Sequence, residues 1–359
     1  MTSNDLAHYK EVIEQEIVQY SSSVRRQTQD EYGQYSEDMV NVFFEILLRG
    51  GKRMRGTLVM IAYEMLGGTD EHSVLEVARA VEMIHAYLLI VDDIADRSPL
   101  RRGGPAGHVL MEQYFDAQQL KGDRYHFGQS MAMTCSLLGA HLAELTIEGL
   151  EVGAETRVQL LRSLHANLIH TVHGQLHDVL AESRDGVVEA DALQIATLKT
   201  AYYSFVNPLE LGAILGGADT QTLNVLRDFG INAGIAFQIA DDIIGTFSDE
   251  AEIGKSTMSD IEEGKMTILT TYALAHASTE QRAVIDAALG HHELDQQTYN
   301  ACKDALTQSG ALAHARQLGG EYLQKARQAL VSAPASWRSE QKALLEGILN
   351  RIESQLGVG

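Results

Sequence analysis

Proline is scarce in this sequence: four in 359 residues, about 1% where roughly 5% is usual. A sheet-rich chain with many tight turns would use more, so the scarcity favours long helices. Cysteine is scarcer still. Cys135 and Cys302 are too few for a disulfide framework or a cysteine metal site, which makes a reducing compartment the default. Basic charge is also short. The 28 Lys+Arg face 49 Asp+Glu, a net −21 that argues against a surface gripping nucleic acid or anionic lipid. Long apolar runs are missing: Ala86–Val91 and Leu58–Tyr63 fall far short of the ~18–20 residues of a membrane span, so no transmembrane segment is expected. The first thirty residues mix five acids with Lys10, Arg25 and Arg26, unlike a signal or transit peptide, and the expected location is the cytoplasm. With 45% hydrophobic residues the chain can still bury a large core.

What is present is helical spacing. Val74, Val77, Val81, Ile84, Leu88 and Val91 follow three- and four-residue steps, and Glu155–Ala181 and Thr220–Phe247 read the same way. Short glycine breaks separate such stretches, no linker divides the chain, and no window alternates as a strand would. The expectation is one all-α domain over residues 1–359, built of ten or more helices.

One design occurs twice. Ile90-Val91-Asp92-Asp93-Ile94-Ala95 and Ile239-Ala240-Asp241-Asp242-Ile243-Ile244 each set paired aspartates at the end of a long apolar helix, 149 residues apart. Solvated acids at a helix end explain one such pair, but two after apolar runs are harder to dismiss. Adjacent carboxylates near a core repel one another and lose hydration, so a cation should neutralise them. Asp92 and Asp96, four residues apart, share a helix face and suit a hard divalent cation. Magnesium typically takes one or two carboxylates plus a substrate's phosphates. Asp241-Asp242 could hold another ion.

Basic residues accompany these acids. Arg101-Arg102-Gly103-Gly104 follows the first motif, and Gly50-Gly51-Lys52-Arg53-Met54-Arg55-Gly56 sets cations on a glycine loop at a helix start, a place suited to an anion. His85, seven residues before Asp92, lies two turns back on the same face. In a chain of net −21, Lys52, Arg53, Arg55, Arg101 and Arg102 beside an aspartate cluster are less easily dismissed as surface loops. That clustering points to a magnesium diphosphate.

In combination and order, Gly51–Arg55, His85, Asp92–Asp96 with Arg101-Arg102-Gly103, Gly174-Gln175-Leu176-His177-Asp178, Lys199-Thr200, Phe237–Asp242, Gly254-Lys255, Ser259-Asp260 and Glu263–Thr267 resemble the short-chain trans-prenyl diphosphate synthases. The resemblance covers about residues 50–267. It implies an isoprenoid synthase bundle, central helices around a deep apolar cavity, and a homodimer. It also implies condensation of isopentenyl diphosphate with an allylic diphosphate by ionisation, condensation and elimination, giving all-trans geranylgeranyl (C20) or farnesyl (C15) diphosphate. Lys52, Arg55, His85 and Arg102 would then hold isopentenyl diphosphate. Arg101, Lys199, Lys255 and Lys265 would hold the allylic diphosphate, with Thr200 and Gln238 beside it and Gln175 and Asp178 nearby. Asp92, Asp96, Asp241 and Asp260 would bind Mg²⁺, three ions per site with diphosphate bound. Asp93 and Asp242 complete the catalytic set with Asp92, Asp96, Lys199 and Asp241.

Three positions depart from the family pattern: Gly56 where many members have proline, Val91 where histidine is common, and Gly245 where many place a third aspartate, with Asp249 four residues on. Chain length in the family is set just before the first motif, here Tyr87 and Leu88. An aromatic at the fifth position with a smaller residue at the fourth resembles archaeal-type geranylgeranyl-forming enzymes. Geometry favours Leu88, which lies ~40° from the Asp92 line, whereas Tyr87 points ~140° away. The alternatives are a class I terpene cyclase, which gives Lys52, Arg55 and Arg102 no purpose, and a non-catalytic subunit of a heteromeric synthase, which would usually have lost an aspartate motif.

Overall fold

A computed structural model of the chain describes residues 3–248 and 257–357, with side chains from residue 6. The chain divides into two compact units, Met1–Arg162 with Ile214–Gly216, and Ser163–Ala213 with Gly217–Gly359. Both are helical. Among the described residues no helix is long and apolar enough to cross a membrane.

The first unit contains α1 (Ser3–Tyr32), α2 (Gln34–Leu48), α3 (Met54–Met65), α4 (Glu71–Ala95), α5 (Gly107–Ala117), α6 (Arg124–Glu148) and the start of α7 (Ala154–Glu182). Helix α4 is its axis, in contact with α1, α2, α3, α5 and α6. It starts where Asp70 accepts hydrogen bonds from the His72 and Ser73 backbone N–H groups, which otherwise lack helical partners. Every residue from Val77 to Ala86 is buried, because neighbours surround this stretch on all sides, and Arg79, Glu82 and His85 are buried with its apolar residues. The helical spacing read over Val74–Asp96 starts three residues late and ends one residue late against the observed bounds.

One feature lies outside the helical expectation: a two-residue antiparallel ribbon, β1 (Leu100–Arg101) with β2 (Gly104–Pro105), pairing Leu100 with Pro105 and Arg101 with Gly104. Its two loop residues, Arg102 and Gly103, both have positive φ (52° and 74°), as a tight hairpin turn needs. Strands this short leave no alternation to read.

The second unit holds most of α7, then α8 (Glu189–Ile195), a π-helical stretch Ala196–Val206, α9 (Asn207–Leu215, whose end belongs to the first unit) and α10 (Thr220–Phe247). After these come α11 (Ser259–Glu262), α12 (Ile268–His276), α13 (Thr279–Ala288), α14 (Gln296–Gln308), α15 (Ala311–Val331) and α16 (Ser339–Leu356). Helix α10 packs on the π-helical stretch, α15 and α16. Widened i→i+5 turns are usually short and cluster at functional places, and here eleven residues adopt them. Three close approaches fix that stretch. A Cβ on Gly174 of α7 would lie 2.6 Å from Lys199 Cα, one on Gly234 of α10 2.5 Å from Ala201 Cα, and one on Gly230 3.1 Å from Val206 N.

Gly347 in α16 is a contrasting case: it is exposed, and a Cβ there meets nothing within 4 Å. Gly347→Ala is expected to stabilise the chain by about 0.5–1 kcal/mol, because alanine loses less backbone entropy in a helix. A thermal unfolding midpoint at or below the parent's would contradict this.

Candidate active site

In the first unit the aspartates sit at the C-terminal end of α4. Asp96 caps it, its N–H donating to the Asp92 carbonyl at 2.8 Å. Asp92 and Asp96 are half-buried on one face, as their spacing predicts. Asp93 is fully buried, and Arg101 from β1 donates to its Oδ1 through Nε at 2.8 Å and through Nη2. Burial pushes the Asp93 carboxyl up to about 6, against the opposing pull of Arg101, and the Asp92 and Asp96 charges add to the rise. Part of the charge neutralisation expected around the aspartates is therefore supplied from within the chain, by Arg101 to Asp93. Helix phase did not reveal this: the apolar stripe through Ile84 and Leu88 runs on to Asp92, and Asp93 is buried against its partner Arg101 instead.

The basic cluster is built from the loop before α3, the hairpin and α4. Arg102 donates through Nη1 to the Gly50 carbonyl, and its Nη2 lies 3.2 Å from His85 Nε2. An arginine can only donate, so this nitrogen of His85 accepts. Burial, then the charges of Arg55, Arg102, Arg101 and Arg53, hold His85 well below the usual imidazole range, and it is neutral. Gly51 has φ 133°, a conformation that favours glycine, and a Cβ there would press on Arg102 Nη2 at 3.1 Å. Burial and the neighbouring Arg53 pull Arg102 down to about 10, with Arg55 and Arg101 adding and Glu82 opposing. This is a desolvated group of cations suited to an anion. Lys52 is exposed at its edge. Arg49 holds the hairpin, donating to the Arg101 carbonyl at 3.0 Å and the Pro105 carbonyl at 2.6 Å.

Glu82 was not found from sequence. It is 2% exposed, accepting from Arg53 Nη1 at 3.3 Å and from the Gly56 backbone N–H at 3.0 Å. Its one sequence cue is an acid between Val81 and Met83, inside an otherwise apolar run.

In the second unit, Asp178 of α7 joins two of the expected lysines. Lys199 Nζ donates to its Oδ2 at 2.6 Å and Lys265 Nζ at 3.1 Å, and Lys265 also reaches Glu182 at 2.5 Å. Burial pushes the Asp178 carboxyl up, but the two ammonium groups overcome this and hold it below its ordinary value. Thr200 donates to Gln238 Oε1, and Gln238 Nε2 donates to Asp242 Oδ1 at 2.7 Å. Asp241 is exposed. Burial, then the Asp260 carboxylate, drive Asp242 well above the usual range; the Gln238 bond opposes this, and Asp241 and Asp178 add to it. A Cβ on Gly245 would lie 3.0 Å from Asp260 Oδ2. The glycine that departs from the family pattern therefore leaves room for the Asp260 carboxylate, where a third aspartate would crowd it. Lys255, Gly254 and Asp249 lie outside the described residues.

The donor set fits magnesium. It is all carboxylate oxygen, and burial with the nearby Asp260 carboxylate makes the charged form of Asp242 unfavourable without a cation beside it. Among the described residues no three or more His, Cys, Asp or Glu side chains form a ready-made cage. An ion that keeps waters and shares a substrate's phosphates needs none. Tyr87 and Leu88 are both half-buried on α4, just past the fully buried stretch.

Residues 37–306 match the sequence profile of the family described as polyprenyl synthetase. The geranylgeranyl diphosphate synthase of Saccharolobus solfataricus is 30% identical over 313 residues, 84% of this chain and 86% of that protein. The geranylfarnesyl diphosphate synthase of Aeropyrum pernix is 32% identical over 308 residues, 86% and 91% of the two chains. A geranylgeranyl pyrophosphate synthase from Corynebacterium glutamicum, crystallised with isoprenyl diphosphate and magnesium, superposes with a TM-score of 0.91 at 28% identity, covering 97% of this chain and 98% of that one.

Proposed function

Because this chain belongs to the polyprenyl synthetase family and is a prenyl diphosphate synthase, we propose that it condenses isopentenyl diphosphate with allylic diphosphates in a Mg²⁺-dependent reaction. The main product in this reading is all-trans geranylgeranyl diphosphate (C20), with farnesyl diphosphate (C15) as the second choice. The observation that carries the reading is the desolvated cluster of Arg102 and neutral His85 with the charge of Arg55 acting on it, in the same unit as the aspartates at the end of α4. A terpene cyclase has no use for a second anion site.

Lys52, Arg55, Arg102 and His85 hold isopentenyl diphosphate in this scheme, neutral His85 donating from Nδ1 while its Nε2 accepts from Arg102. Lys199, Lys265, Lys255 and Arg101 receive the allylic diphosphate, and Asp92, Asp96, Asp241 and Asp260 bind Mg²⁺. When bound, the metal supplies positive charge that stabilises the leaving diphosphate. The chain's lysines and arginines meet the same developing charge from fixed positions, which gives such contacts their large effect on rate. Apolar helix faces exclude water from the allylic cation, and the isopentenyl double bond attacks it. Released pyrophosphate takes the final proton. The single-domain organisation and the homodimer belong to this reading; Met133, Leu137 and Leu145 on the exposed face of α6 are the apolar surface that favours a dimer.

The test is to incubate the purified protein with Mg²⁺, dimethylallyl diphosphate and labelled isopentenyl diphosphate, then separate products by chain length. A dominant C20 product is expected, and none after chelation of the metal. Absence of any product longer than C5 overturns the reading, and a dominant C15 product overturns the chain length alone.

A further inference from the structure

We propose that Glu82 is the positioning residue of the isopentenyl diphosphate loop: its buried carboxylate fixes Arg53 and the start of α3, so that Lys52, Arg55 and Arg102 converge on one diphosphate. The inference rests on the reading of that loop as the isopentenyl diphosphate site.

A carboxylate beside an anion site is an electrostatic contradiction. Its charge repels the ligand, and its burial is costly unless it is fully hydrogen-bonded. Glu82 is 2% exposed and uses both oxygens, Oε2 for Arg53 Nη1 at 3.3 Å and Oε1 for the Gly56 N–H at 3.0 Å. Arg53 is itself buried and ties the loop further, donating to the Leu47 carbonyl at 2.8 Å and lying 3.6 Å from Glu14 of α1. It also adopts a left-handed backbone conformation, φ 47°, as the residue before α3. That conformation is unfavourable for arginine and persists only where surrounding bonds hold it. Arg53, although it sits in the middle of the basic motif, therefore faces inward as an anchor, and it sets where its neighbours Lys52 and Arg55 leave the backbone.

Gly56 supports the same assignment. Many members of the family have proline there, and proline has no N–H to donate. In this chain the N–H is present, and one oxygen of Glu82 accepts from it. The substitution therefore adds a tether between α4 and the loop. Because α4 also carries His85 and the aspartates, Glu82 links the spacing of the basic loop to the helix that bears the acids.

The two possible roles of Glu82 differ in sign. If the carboxylate acted only through its charge, Glu82→Gln would remove a repulsion and tighten isopentenyl diphosphate binding. If it positions the loop, the loss of the Arg53 pair loosens the cations and weakens that binding.

The experiment is steady-state kinetics with each substrate varied in turn, for Glu82→Gln, Gly56→Pro, Gly56→Ala and Arg55→Ala. Glu82→Gln is expected to raise the KM for isopentenyl diphosphate about tenfold, the scale of one lost charge-assisted hydrogen bond. The KM for the allylic substrate should move less than about twofold and kcat less than about threefold. Gly56→Pro keeps the carboxylate but removes the N–H, and should raise the same KM by more than Gly56→Ala, which adds a Cβ and keeps the N–H. It also keeps the test decisive should Glu82→Gln fold poorly. A lowered or unchanged KM for isopentenyl diphosphate in Glu82→Gln, with Arg55→Ala raising it, overturns the positioning role while the site reading stands. So does an equal rise in both KM values, which marks a general structural part. If Arg55→Ala leaves the isopentenyl diphosphate KM unchanged, the site reading falls, and this inference with it.

Discussion

Asp92→Ala is expected to lower turnover by roughly 10²–10³-fold, the scale of removing one group that acts on developing charge, with no loss of thermal stability. Asp92 and Asp93 are adjacent, yet their expected phenotypes are opposite. Asp92 is half-buried and lies in the last turn of α4 with Asp93 and the capping Asp96. That end of a helix carries negative partial charge, so acids there destabilise it by about 0.3–1 kcal/mol each. Three acids at the unfavourable end make sense where a cation is to be bound, and removing Asp92 should leave the fold unchanged or slightly more stable. Asp93 is fully buried and paired with Arg101. Asp93→Asn leaves that guanidinium without its counter-charge, and breaking a buried pair in this way typically costs about 3–5 kcal/mol. Side-by-side melting curves and specific activities of the two variants test this. A destabilised Asp92→Ala whose folded fraction retains parental turnover would sink the assignment of Asp92 to the reaction.

That contrast also marks what the sequence could reveal. The helices that carry the chemistry were legible. Their apolar residues recur every three or four positions, and Asp70 and Asp219 cap α4 and α10 at their starts. Three things were not. The β1–β2 ribbon is too short to alternate, yet it aims Arg101 and Arg102 in different directions, one at Asp93 and the other at Gly50 and His85. The π-helical register around Lys199 and Thr200 leaves no periodic trace in eleven residues, and the glycines of α7 and α10 that pack closely on it are distant in the chain. Glu82 means little until Arg53 and Gly56, distant in the chain, are known to lie against it. Local patterns disclose elements and the side chains that line them; long-range partners become visible only once the elements are packed.

The π-helical stretch yields the second large effect. Gly174→Ala is expected to lower kcat about 10²-fold, since a displacement near 1 Å of a reacting group can have that effect, while helix content stays at the parent's level. A Cβ at 174 would lie 2.6 Å from both Leu198 C and Lys199 Cα, and closer still to Lys199 N. These are backbone atoms, and no rotamer change relieves the clash. Nor can the stretch retreat, because Gly234 of α10 already brings its backbone so close that a Cβ would stand 2.5 Å from Ala201 Cα. Helix α7 and the segment bearing Lys199 must therefore part by something on the order of 1 Å to restore ordinary contact, at an overpacking penalty of about 1–3 kcal/mol. The separation falls one turn from Asp178, whose 2.6 Å bond to Lys199 and 3.1 Å bond to Lys265 set both ammonium groups. The proposed allylic diphosphate lysines would shift together, which a substitution of either alone would not do. Gly347→Ala, chemically identical and in open space, serves as the control that should gain stability and keep its activity. Measured against it, a Gly174→Ala enzyme that turns over at the parental rate would mean that close helix approach at Lys199 has no part in positioning the lysines.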